Sequence, residues 1–223
     1  MRYILFLTIA IAAFTFACAD PAANKPKATT TEAANKAAAP AEVAKTDSLE
    51  GFKAAGAEIA ISPENSKVEF TGSKVTGKHD GGFKAFRGVI DLVGERAEGS
   101  RVLVEIDMDS VFTDAEGLTK HLQTDDFFFI EKYPKSSFAS TKIAADASKG
   151  ADTYTVTGDL TMRGVKKSIT FPATIKVSAG EVTVQAEFSI NRKDFGIAYA
   201  GKADDLIRDD VVLRLDLKAP RKK

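Results

Sequence analysis

Repeated two-residue alternation of apolar and polar side chains most limits how this chain folds. Apolar residues at every second position place one set of side chains on one face of an extended strand. Val68 and Phe70 alternate with Lys67, Glu69 and Thr71. Phe86, Ile90 and Leu92 share a parity, with Gly88 between them, and Val102, Val104, Ile106 and Met108 alternate with Arg101, Glu105 and Asp107. Further runs place Tyr154, Val156, Leu160 and Met162 on one face, then Ile169, Phe171, Ala173, Ile175 and Val177, then Val182, Val184, Ala186, Phe188 and Ile190. Val211, Leu213, Leu215 and Leu217 form the last face, and a run over 136–143 carries Phe138 with weaker alternation.

Turn signals separate the runs: Gly81-Gly82, the stretch 94–99, Gly150 and Gly180. Arg163-Gly164-Val165 divides two of the longest runs as a tight hairpin would. About eight strands with one apolar face each predict an all-β antiparallel meander, closed as a barrel or folded as a sandwich. An eight-stranded closed barrel has room for side chains or one small ligand. Strands of about ten residues span roughly 33 Å, a length suited to an elongated ligand. The one helical insert is predicted over 114–124, where Leu118 and Leu122 share a face and Asp114 is an N-cap. Phe127-Phe128-Phe129 follows, and three successive rings cannot all point one way in a regular element.

The first residues are of another kind. Met1-Arg2 precedes an apolar run over 3–16 that is shorter than the about 20 residues of a bilayer span and fits a secretory signal. Ala17-Cys18 resembles a bacterial lipoprotein cleavage box, so residues 1–17 are read as a signal peptide and Cys18 as the lipidated first residue of the exported chain. Residues 18–58, starting from Cys18, are read as a flexible tether of Ala, Lys, Thr, Glu and Pro, too poor in large apolar groups to offset their ordering entropy. Residues 59–223 form the folded domain.

Lys+Arg and Asp+Glu are both 31, a balance that argues against a nucleic-acid partner. One cysteine allows no internal disulfide. His79 and His121 have no partner at metal-ligand spacing and are read as structural; no metal or cofactor is expected. Asp107 and Asp109 fail the calcium-loop pattern, because Phe112 occupies the position that needs glycine. Nucleophile-elbow and phosphate-loop motifs are absent, so no catalytic residue is assigned. Arg192 and Asp194 are read as an ion pair fixing a turn, in preference to a ligand contact.

Four pieces of sequence carry a family resemblance: Ser66-Lys67-Val68-Glu69-Phe70; His121-Leu122 with Asp125-Asp126-Phe127-Phe128, Tyr133-Pro134 and Phe138; Gly158 through Lys167 around Arg163-Gly164; and Ile190-Asn191-Arg192-Lys193-Asp194-Phe195-Gly196-Ile197. Over about 61–219 the chain resembles the YceI-like family of bacterial polyisoprenoid-binding, lipocalin-like proteins. It departs from the family's pattern in lacking a tryptophan-containing first strand and in the stretch 74–82. The resemblance implies an eight-stranded antiparallel lipocalin-like barrel with a helix near one end, a long tunnel for an isoprenoid chain such as the tail of a quinone or its precursor, and export to the periplasm or cell envelope. The ligand-binding residues would then be Phe70, Phe86, Ile90, Val104, Ile106, Phe138, Val156, Leu160, Phe171, Ile175, Val184, Phe188 and Phe195. Phe127, Phe128 and Phe129 would pack at one mouth. The expected partners are an isoprenoid or other long-tailed lipid and a membrane reached through Cys18. Periodicity does not distinguish a hollow barrel from a filled one, so a filled-barrel interaction module stays as the alternative. Oligomeric state is left open.

Overall fold

The computed structural model describes residues 19–34 and 49–221. The expected signal peptide, Cys18 and residues 35–48 of the expected tether lie outside them. The strands are β1 (Thr29–Glu32), β2 (Ala57–Ile61), β3 (Lys67–Lys74), β4 (Gly77–Phe83), β5 (Phe86–Val93), β6 (Arg96–Asp107) and β7 (Val111–Thr113). After the helix α1 (Glu116–Leu122) come β8 (Lys135–Ala145), β9 (Thr153–Met162), β10 (Val165–Val177), β11 (Glu181–Asn191), β12 (Gly201–Lys202), β13 (Asp205–Leu206) and β14 (Asp210–Pro220).

One antiparallel sheet runs in the order β2-β5-β6-β8-β9-β10-β11-β14-β3-β4-β7, with β1 added on β10, while β12 and β13 form a separate ribbon. The sheet curls into a half-barrel. This corrects the eight-stranded closed barrel expected from sequence: β2 and β7 end the hydrogen-bonded path and share no ladder. The sheet also holds more strands than expected, because several lack alternation. β4 reads Gly-Lys-His-Asp-Gly-Gly-Phe, and Gly81-Gly82, taken as a turn signal, lie inside it. A Cβ on Gly81 would come within 2.5 Å of the Phe70 ring, so the glycine there admits a ring beneath the strand.

The β9–β10 turn is the tight hairpin expected. Met162 pairs with Val165, and Arg163 and Gly164 both have positive φ, at 52° and 73°, as a two-residue type I′ turn requires. Among the described residues α1 is the single α-helix. It starts two residues later than expected, with Ala115 as its N-cap and no side-chain cap bond. Asp114 is used elsewhere, with its carboxylate 2.8 Å from His79 Nδ1 and 3.3 Å from the Asp80 amide.

Residues 19–34 and 49–58 pack on the wall, where the sequence predicts a free tether. β1 pairs with β10 from Thr29 opposite Thr170 to Glu32 opposite Lys167. The Glu105 carboxylate accepts from the Leu49 amide at 3.1 Å, and the Asp91 carboxylate accepts from the Ala55 and Gly56 amides at 3.0 and 2.7 Å. Backbone pairing and buried carboxylates hold these segments, and apolar composition reports neither.

Candidate ligand-binding site

Residues directly opposite across a ladder lie on the same face. The register therefore carries the inner face around the wall, from Val104 to Phe138 to Leu160, and from Phe188 to Leu213 to Phe70. The predicted lining residues are gathered on this face. Phe86, Ile90, Val104, Val156, Phe171, Ile175, Val184, Phe188 and Phe195 are buried in one apolar cluster, with Ile106, Phe138 and Leu160 packed against it. Phe70 belongs instead to a second cluster with Val111, Leu122, Phe127 and Ile197. Phe83, Met162 and Leu213 touch both clusters.

The deep end is packed rather than hollow. Ile90, Leu92, Val102, Ile143, Ile175 and Val184 surround a cavity of about 10 Å³, room for roughly one water. Phe171 and Phe188 stack with centroids 4.1 Å apart and planes 10° apart, and Phe138 lies 5.7 Å from Phe171. Gly158 makes space for that group. A Cβ there would lie 2.4 Å from the Phe138 ring and 2.6 Å from the Ala139 carbonyl oxygen. Gly158 entered the sequence analysis only as part of the family resemblance, although a glycine on an inward parity is a readable sign of close approach.

The other end is more open. Ile106, Phe138, Leu160, Met162, Val165 and Leu213 face inward yet are only half-buried. The three consecutive rings diverge there. Phe127 packs beside His121 and Tyr199 at 4.9 and 5.4 Å, Phe128 lies 6.1 Å from Phe83, and Phe129 lies 6.0 Å from Tyr133. Phe129, the third of them, has a positive φ of 51°, which takes the chain out of any regular element there. Arg163 Nη1 donates to the Phe127 carbonyl at 2.6 Å, tying the β9–β10 turn to this rim.

Polar groups near the rim are mostly structural. Arg192 is buried, and burial pushes its guanidinium below its ordinary pKa while Asp209 opposes the shift. It donates to the carbonyls of Ile197 at 2.8 Å, Arg208 at 3.0 Å and Ile207 at 3.3 Å, and meets Asp209 at 3.4 Å. The structural reading of Arg192 is right in kind, but these groups take the place of the Asp194 partner expected from sequence. His121 pairs with Asp126 at 2.8 Å. Among the described residues no group of three or more His, Cys, Asp or Glu could hold a metal ion.

The model of the YceI-like domain matches residues 60–219. The chain belongs to the YceI-like family. A UPF0312 protein of Pseudomonas putida is 34% identical over 137 residues, which is 59% of this chain and 70% of that protein. The YceI protein of Campylobacter jejuni superposes with a TM-score of 0.57 at 32% identity, over 64% of this chain and 85% of that one. A polyisoprenoid-binding domain from Saccharophagus degradans has a TM-score of 0.59 at 18% identity, over 74% of this chain and all of that one (100%), and shares the fold. YceI-like proteins are non-catalytic binding proteins, typically exported, and their fold is one for apolar ligands.

Proposed function

We propose that the chain is an exported carrier or reservoir for a long apolar amphiphile, an isoprenoid chain such as that of a quinone or its precursor. The carrying observation is the single apolar face that runs from the packed deep end to half-exposed side chains at the mouth. Each methylene taken from water gains of order 0.8 kcal/mol. A bilayer offers the same gain, so selectivity rests on shape and a few polar contacts. The fold shared with the Saccharophagus degradans polyisoprenoid-binding domain supports this ligand class. With a deep cavity of only about 10 Å³, a bound tail would have to displace packed side chains such as Leu160 and Phe138 to lie along Phe171.

Lipidation of Cys18 belongs to the same proposal. The Asp20 carboxylate accepts from the Ala22 amide at 2.9 Å and meets Arg208 at 3.5 Å. Two residues span at most about 7 Å. An acylated Cys18 would therefore hold the half-barrel against the bilayer itself, shortening the path of an exchanging tail.

The packed deep end favours a second reading, a filled interaction module without a small-molecule ligand. Native mass spectrometry of the exported chain, purified gently from a bacterial host, separates the two. A discrete excess mass that extracts as a prenyl lipid is the expected result. A clean apo mass that persists after incubation with quinones and prenyl lipids overturns the carrier.

A further inference from the structure

β10 and β11 are consecutive strands, yet they pair only near their hairpin, with residues 174–177 opposite 182–185. Beyond that they part, and residues 26–32 fill the gap. On one side β1 runs antiparallel to residues 167–170 of β10. On the other side the Ala28 amide donates to the Ser189 carbonyl at 2.8 Å, the Ser189 amide donates to the Pro26 carbonyl at 2.9 Å, and Lys27 bridges Ser189 in parallel. An inserted strand holds its neighbours two strand spacings apart, about 9.5 Å. Beneath it lies the stacked pair Phe171 and Phe188, in one cluster with Ala28.

The insert is attached differently from the rest of the wall. Its buried apolar side chains, with those of the flanking residues, are the alanines Ala22, Ala28 and Ala33, whereas β10 and β11 contribute phenylalanine, isoleucine and valine besides Ala173 and Ala186. Charged ties at and just before it, Lys27 to Asp210 at 2.8 Å and Lys25 to Glu187 at 2.6 Å, are partly exposed and open to screening by salt. One tie reaches the inner face. Lys167 breaks the apolar parity of β10, standing between Val165 and Ile169 and opposite Leu160 of β9. Its ammonium pairs with Glu32 of the insert. A cation thus sits beside the apolar mouth, paired with a carboxylate from a segment outside the β2–β14 wall.

We propose that residues 26–32 are a displaceable wall strand, and that Lys167, released from Glu32, binds the anionic head group of a long-tailed lipid whose tail passes through the opened seam onto Phe171 and Phe188. The inference rests on the ligand-binding reading above and adds the head-group chemistry, a phosphate or carboxylate, and a lateral route. Glu32 is the internal competitor of that head: displacing the strand removes one anion from Lys167 as another arrives.

The test uses the full exported chain with Cys18→Ser, so that no other thiol interferes. Thr29→Cys with Thr170→Cys joins β1 to β10 at a directly opposed pair, leaving the inner face unchanged. Uptake of geranylgeranyl phosphate, geranylgeraniol and palmitate is followed by native mass spectrometry, with the pair oxidised and then reduced. Oxidation should slow uptake at least about tenfold, with recovery on reduction, and Lys167→Gln should weaken the phosphate and the carboxylate about tenfold while sparing the alcohol. Glu32→Gln should strengthen both anions. Equal uptake by the oxidised and reduced forms overturns the displaceable strand. Equal loss of alcohol and phosphate in Lys167→Gln overturns the head-group role. In both cases bound lipid leaves the ligand-binding reading standing, whereas binding of none of the three probes by the reduced form overturns that reading and the inference together. Preference between phosphate and palmitate identifies which anion the site takes.

Discussion

Asp91 is a fully buried carboxylate that organises one edge of the sheet. Burial pushes its pKa up, but the Ala55 and Gly56 amides and the Arg101 guanidinium outweigh this and hold it below the ordinary carboxylate value. Glu105 is held low in the same way, by Lys135, the Leu49 amide and Arg87 against its burial. A lowered folded-state pKa contributes stability that is fully present above the unfolded value of about 4 and is lost as pH falls through the folded value. The urea midpoint is therefore expected to hold steady from neutral pH to about pH 5 and to drop below about pH 4. Asp91→Asn should flatten that drop and cost about 2 kcal/mol at pH 7, read from the same denaturation curves. Gly158 acts by steric fit. Gly158→Val forces the Phe138 ring or the β8 backbone to shift, and a loss of about 2–3 kcal/mol is expected in urea denaturation.

Among the elements, the 3-10 turn Arg192–Phe195 shows how one side chain joins separate segments. Asn191 caps it by accepting from the Lys193 amide at 2.9 Å, and Gly196 closes it with a φ of 75°. Arg192 then clamps the carbonyls of residues 197, 207 and 208 into one unit. Arg192→Ala leaves those carbonyls without their donor and should cost about 3 kcal/mol by denaturation, with Arg192→Lys recovering only part because an ammonium lacks the planar fork. β1 stands at the other extreme, held by backbone bonds, small side chains and the Glu32–Lys167 ion pair. Its amides at Thr30 and Thr31 are expected to exchange with deuterium faster than those of Ile169 and Phe171 on the strand beside it, as measured by mass spectrometry after proteolysis.

For the whole molecule, the two ends of the inner face respond differently to substitution. Phe188 is 1% exposed and stacked on Phe171, so Phe188→Ala should cost about 3–5 kcal/mol and say more about folding than about binding. Leu160 is half-buried at the mouth. Leu160→Arg should leave stability within about 1 kcal/mol, since the side chain can reach water, while lowering lipid occupancy measured by extraction of the purified protein.

Much of this architecture was legible because apolar residues recur at every second position along most of the long strands. The register then brought the predicted residues of β5, β6 and β8 to β11 to one core. Where alternation lapses, legibility lapses too: the glycine-rich β4 and the threonine-rich β1 pair through backbone groups that side-chain patterns do not encode. An all-β chain with an apolar face on each long strand, three successive rings that cannot share a face and no recognised catalytic motif can be read from the amino acids alone. The tertiary structure alone decided that the sheet stops as a half-barrel, that its deep end is packed, and that residues 26–32 stand in the wall with Glu32 against Lys167. Those outcomes depend on which strand edges find partners and how rings fill a shared volume, and both are set by segments far apart in sequence.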